Sequence, residues 1–243
     1  MNYPLARARP TVFRVNAMPQ ASSLIRSSVD WSRFVVDEFV NALTHGLGLV
    51  LSVCGAIVMV ASMLSHADAW RVAGCSIYLA SLVGVYAMST LSHTFTSTAS
   101  LRSLFRRLDQ GFIYLLIVAT YTPFSLAYLR TWPWWILLGV MWAIALWGFA
   151  AKVLFAHRVD AVRVWPCVVL GWLPAIAAPS LVQLMPVAVL WWMLAGGVLY
   201  SLGTLFLIYD ERVRFFHAVW HLLVIAASAC HFVAILAFIA AAS

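Results

Sequence analysis

Beyond residue 37 the chain is a succession of apolar runs divided by short polar segments. Spanning a hydrocarbon core of about 30 Å takes about 20 apolar residues in a helix. Seven runs meet that length, near 39–62, 71–92, 110–129, 134–155, 163–183, 187–208 and 217–240. The pattern predicts an all-α polytopic membrane protein, one seven-transmembrane helix bundle occupying 37–243 with no separate soluble domain. Tyr121-Thr122-Pro123 interrupts the third run, and Pro174 and Pro179 interrupt the fifth. A proline removes a backbone donor, so a kink is expected at each place.

Composition strengthens this reading. Of 243 residues, 64% are hydrophobic and only 9% are charged, against roughly 25% charged in a soluble domain. Cys54, Cys75, Cys167 and Cys230 all fall inside apolar runs and show no close spacing for metal or redox chemistry. Apolar packing is expected of each, since a free cysteine behaves as a small hydrophobe. The first 36 residues differ in kind, with five Arg, several Ser, Pro4, Pro10 and Pro19, and no acidic residue before Asp30. They lack the apolar core of a cleavable signal peptide and read as a partly disordered cytoplasmic tail. An Arg-rich, acid-poor organellar transit peptide has the same signature.

Charge also predicts orientation. Seven spans place the termini on opposite sides, and thirteen of the fifteen basic residues fall on the side of the tail. They are Arg7, Arg9, Arg14, Arg26, Arg33, Arg102, Arg106, Arg107, Lys152, Arg158, Arg163, Arg212 and Arg214; only Arg71 and Arg130 lie opposite. By the positive-inside rule the N-terminus is cytoplasmic and the C-terminus external, as in the inner (plasma) membrane of a bacterium, with an organellar membrane as the alternative. Trp70, Trp132, Trp134, Trp135, Trp191 and Trp192 cluster at the external ends, where such rings suit the headgroup layer. The net charge of +7 is thus accounted for by topology and lipid contact, without nucleic acid.

Ionisable groups inside membrane spans are costly and mark sites. His217 and His221 open the seventh run four residues apart, on one helical face. Ser89 and His93 close the second run with the same spacing, and Asp109 opens the third after a loop of about sixteen residues. All five fall at one depth on the cytoplasmic side. Three neutral imidazoles with an open position suit Zn2+ and its bound water, with Asp109 at the rim to hold that water or orient an imidazole. The alternative is a set of helix-end histidines satisfied by carbonyls or interfacial water. Asn41 and His45, one turn apart in the first run, would support the metal or hydrogen-bond between helices. His231, in the middle of the seventh run, is expected to be a packed neutral imidazole, and His66 and His157 to lie in loops without a role.

The segments Glu38-Phe-Val-Asn-Ala-Leu-Thr-His45, Ser89-Thr-Leu-Ser-His93, Leu108-Asp-Gln-Gly-Phe-Ile-Tyr114 with Thr120-Tyr-Thr-Pro-Phe124, and His217-Ala-Val-Trp-His221 occur in order. Together they resemble the haemolysin III group of the progestin and adipoQ receptor (PAQR) family, over about 37–240. The resemblance implies zinc held by His93, His217 and His221, a zinc-bound water held by Asp109, and Ser89 completing the cluster. It also implies kinship with alkaline ceramidases and with adiponectin receptors linked to ceramide hydrolysis. The chain departs from bacterial relatives at Gln110, where a second histidine is frequent, and at Ala119, where glycine is common. The function expected is a zinc-dependent hydrolase of a lipid amide or ester, ceramide-like or another acyl lipid. The alternatives are a membrane receptor or lipid-homeostasis sensor with structural zinc, and a pore-forming haemolysin.

Overall fold

A computed structural model describes residues 21–64, 68–155 and 164–237, with side chains from Trp31 onward. The predicted boundary between tail and bundle coincides with a division of the chain into units Met1–Val36 and Asp37–Ser243. The tail's predicted disorder, His66, His157, Arg158 and Arg163 lie outside the described residues.

Eight α-helices and no strand occur among the described residues: α1 Ala21–Met63, α2 Ala69–Thr94, α3 Ala99–Tyr128, α4 Trp132–Leu154, α5 Val164–Trp172, α6 Ala178–Leu184, α7 Val187–Ile208 and α8 Phe216–Ile235. α5 and α6 form one span, broken by a 3-10 turn at Leu173–Ala177 that begins at Pro174. Seven segments are therefore long and apolar enough to cross a membrane. Large apolar side chains such as Leu43, Ile57, Trp147, Trp165 and Trp191 face outward in numbers no water-soluble surface carries. The molecule is an integral membrane protein.

Inside a bilayer, helices associate through close packing, because lipid tails are as apolar as leucine. α3 is the most enclosed span, α8 and α2 follow, and the rest lie around them. Small residues let rings from neighbouring helices approach. A Cβ on Gly48 of α1 would lie 2.6 Å from the Tyr86 ring of α2, and one on Gly148 of α4 would lie 2.5 Å from the Tyr114 ring of α3. At Gly74 the approach is to backbone, with Pro123 Cα at 2.8 Å.

Two expectations about α3 are corrected. The helix begins at Ala99, so Asp109 lies well inside it rather than opening it, and the preceding connection covers only residues 95–98. The polar stretch with Arg102, Arg106 and Arg107 is helix extending past the apolar run, supported by Arg107 Nε donating to the Ser103 carbonyl at 3.1 Å. Pro123 does not end the helix, which runs on to Tyr128. Thr120 and Thr122 return their hydroxyls to the Leu116 and Val118 carbonyls, each at 2.8 Å, satisfying backbone acceptors on the approach to the proline. Lys152, read as a loop charge, is buried in the last turn of α4.

Candidate metal centre and its cavity

His93 sits in the last turn of α2, and His217 and His221 sit in the first turns of α8. One ring nitrogen from each lies within 4.8 Å of those of the other two. Tetrahedral zinc with Zn–N near 2.0–2.1 Å requires nitrogens about 3.3 Å apart, a small inward adjustment from that limit. The rings are tilted steeply to one another, at 67° for His93 and His217, 64° for His93 and His221, and 72° for His217 and His221. Such tilts let three nitrogens converge on one point, where stacked rings would not.

The opposite nitrogen of each ring is already engaged. His93 Nδ1 donates to Glu38 Oε2 at 2.6 Å, and His217 Nδ1 donates to Asp210 Oδ2 at 2.7 Å. His221 Nδ1 lies 3.0 Å from Thr44 Oγ1, whose own hydrogen is directed to the Val40 or Asn41 carbonyl at 3.0 and 2.9 Å. The hydroxyl therefore accepts from His221. All three imidazoles are fixed in the tautomer that leaves Nε2 as the lone-pair atom, and His93 Nε2 is buried with no hydrogen-bond partner. Carboxylates and hydroxyls behind ligand imidazoles are the usual means of orienting them toward a metal. The donor set, its tautomers and the orphaned nitrogen fit a divalent ion.

Local sequence explains how these groups meet. The turn from Tyr209 to Phe216 closes on backbone bonds from Arg212 and Val213 to the Tyr209 carbonyl, at 3.0 and 3.1 Å, which swings Asp210 back toward His217. Phe215 ends it with φ of 65°, left-handed backbone that a bulky side chain rarely adopts and that costs about 1–3 kcal/mol. Arg214 braces this residue, its guanidinium 4.5 Å from the Phe215 ring centroid and its Nε 2.9 Å from Asp37 Oδ1.

Asp109 and Ser89 line a cavity of about 1010 Å³ together with His45, His93, His217 and His221. The Asp109 carboxylate lies within electrostatic reach of His93 and His217 and beside Ser89. Ser89 Oγ is buried and makes no direct hydrogen bond. All five predicted site residues thus face one space, although they come from α2, α3 and α8. His45 shares it as a fourth imidazole outside the trio, stacked on His221 at 3.5 Å and 25°, with both of its nitrogens buried and unpartnered. Asn41 is buried beside it. His231 is a packed imidazole, as expected, its Nε2 near the Met193 carbonyl at 3.1 Å.

Comparison with known proteins now decides the family. A family model described as "Haemolysin-III related" matches residues 34–232. The chain belongs to the haemolysin III family. Among haemolysin III relatives, "Hemolysin-3" of Bacillus cereus is 36% identical over 208 residues, covering 86% of this chain and 94% of that protein. "Hemolysin-3 homolog" of Bacillus subtilis (strain 168) is 33% identical over 202 residues, covering 83% and 94%. "Monocyte to macrophage differentiation factor" of Homo sapiens is 29% identical over 203 residues, covering 80% and 81%. That similarity agrees with membership of the wider PAQR family.

Sequence reasoning missed three residues of this haemolysin III site as partners of the histidines. Glu38 and Thr44 stood in a quoted segment without that role, and Asp210 was not singled out. A carboxylate seven residues before a candidate ligand, in a short connection, is a signal that was there to use.

Proposed function

We propose that this protein is a membrane-embedded hydrolase of lipid amides or esters, with Zn2+ held by His93, His217 and His221. The observation that carries the reading is the shared cavity. Its wall joins the histidines, Ser89 and Asp109 to the apolar side chains Val85, Ile113, Leu207 and Val224. A substrate with a polar acyl carbonyl and an apolar chain matches both surfaces. Imidazole donors in a set of three are suited to zinc.

Bound there, zinc would supply Lewis acidity toward a carbonyl and bring the pKa of a coordinated water to near 7. The remaining work falls to the chain. Glu38, Asp210 and Thr44 hold the imidazoles in orientation. Asp109 accepts a proton on its carboxylate from the attacking water and returns it to the departing amine or alcohol. Ser89 Oγ–H donates to the carbonyl oxygen as negative charge develops on it.

A second reading, a sensor with structural zinc, draws support from the way the trio joins α2 to α8 while Glu38 and Thr44 add α1. One experiment separates them. Purified protein, His93→Ala and Asp109→Ala are analysed for metal and incubated with ceramides and other acyl lipids. The hydrolase reading expects about one zinc per chain, lost in His93→Ala but kept in Asp109→Ala, with turnover lost in both. Equal product from wild type and Asp109→Ala removes the mechanism. Retained zinc with no turnover of any lipid, and a lower melting temperature for His217→Ala, favours the sensor.

A further inference from the structure

The cavity wall carries cations that neither the histidine cluster nor the topology requires. On α3 the lining residues are Ala99, Arg102, Ser103, Arg106, Arg107, Asp109, Gln110 and Ile113. Their spacing of three and four describes one helical face. Arg106 and Arg107 are thus on the face that bears Asp109, and at 1.5 Å per residue Arg106 lies about 4.5 Å before it along the axis. Lys152 lines the cavity from α4, buried to 5% exposure. Burying an ammonium is expensive without an anion or polar groups to receive it. Arg102 differs, because its Nη2 is held by Glu38 Oε1 at 2.9 Å.

Charges that serve only to orient a membrane protein can point outward to headgroups and water. Arg212 and Arg214 do so, both exposed and neither lining the cavity. Arg106, Arg107 and Lys152 face inward, about one turn from the histidine level. Of the three carboxylates lining the same space, Asp210 is bonded to His217, Asp109 lies beside Ser89, and Glu211 is exposed.

We propose that Arg106, Arg107 and Lys152 bind a phosphate group, carried into the cavity by a phospholipid whose acyl carbonyl then faces the histidines. The proposal rests on the acyl-lipid reading above and narrows its substrate class. Guanidinium groups match phosphate oxygens in geometry and form charge-assisted hydrogen bonds. In a glycerophospholipid the acyl carbonyl and the phosphate are only a few bonds apart, in keeping with one helical turn between the two sets of side chains.

The test measures binding, so that it stands or falls apart from turnover. Metal-loaded full-length protein in phosphate-free detergent is titrated with phosphatidic acid, with diacylglycerol of the same chains, and with inorganic phosphate, and occupancy is read by native mass spectrometry. Phosphatidic acid is expected to bind at least about tenfold more tightly than diacylglycerol, since a hydrogen bond to a charged group is worth about 1.5–3 kcal/mol. In the double variant R106Q/R107Q the ratio falls toward one, with zinc content and diacylglycerol affinity unchanged. Lys152→Met has the same effect; the double variant changes only exposed and half-buried side chains and keeps the test valid should Lys152→Met fail to fold. Equal affinity for the two lipids, or a preference that survives R106Q/R107Q, overturns the proposal. Inorganic phosphate binding that needs these side chains, without a preference for phosphatidic acid, assigns the site to free phosphate and overturns the lipid part. Lost turnover in an otherwise lipid-selective protein sinks only the hydrolase reading.

Discussion

Glu38 joins three helices through two oxygens. Oε2 accepts from His93 of α2 at 2.6 Å and Oε1 accepts from Arg102 of α3 at 2.9 Å, while the residue itself belongs to α1. Asp210 supports His217 alone and is the more exposed of the two carboxylates, at 22% against 14% for Glu38. Losing the charge of an orienting carboxylate typically weakens metal affinity by about 10–100-fold. Glu38→Gln should therefore raise the zinc dissociation constant into that range, and Asp210→Asn should raise it less because water screens it more. Zinc competition against a calibrated chelator measures both. Unchanged affinity in a folded Glu38→Gln protein would reduce the carboxylate to a helix tether. The imidazoles themselves were legible in the sequence, because histidine inside an apolar run is conspicuous and four-residue spacing fixes a face. Their supporting groups were not, since a carboxylate at the end of a span resembles any solvated charge until the fold shows what it touches.

Helices here are specified by run length and positioned by small residues. Run length was enough to find seven spans, and prolines at 174 and 179 were enough to foresee the break in the fifth. The start of α3 was not legible, because Arg102, Arg106 and Arg107 suppress the apolar signal while remaining good helix formers. The same three arginines read as loop charge, so their turn toward the cavity stayed hidden. Continuation through Pro123 depends on packing that no local pattern carries: α2 presents Gly74 directly against that proline. Gly74→Ala would set a methyl 2.8 Å from the Pro123 Cα, a contact with backbone that cannot swing aside. Gly139 of α4 has nothing within 4 Å of the corresponding position. Overpacking of this kind costs about 1–3 kcal/mol, whereas a Gly to Ala change in open helix gains up to about 1 kcal/mol. Melting in detergent should fall for Gly74→Ala and hold or rise for Gly139→Ala. Equal melting temperatures would mean that α2 and α3 are free to separate at this crossing.

At the scale of the whole bundle, alternating spans sort the helix ends into two sets. One holds the connections near 95–98 and 209–215 with the end of α4, and to it belong the histidines, the cavity and most of the cations. The other holds residues near 64–68 and 129–131, with Arg71, Arg130 and the exposed rings of Trp70, Trp132 and Trp135. Asp68 caps α2 there, its carboxyl held below the usual value by hydrogen bonds from the backbone of Arg71 and Trp70. We propose that the first set is cytoplasmic, because Lys and Arg in short connections are retained on that side. The cavity would then open at the headgroups of the inner leaflet, where a lipid could enter by lateral movement and a polar product could leave into the cytosol. Substituted-cysteine labelling in bacterial cells tests this, in a background without Cys54, Cys75, Cys167 and Cys230. Thr131→Cys should react with a membrane-impermeant maleimide in intact cells, and Ser97→Cys should react only after lysis. The reverse pattern would place the metal centre at the outer leaflet, so that any lipid acted on would have to come from the external monolayer.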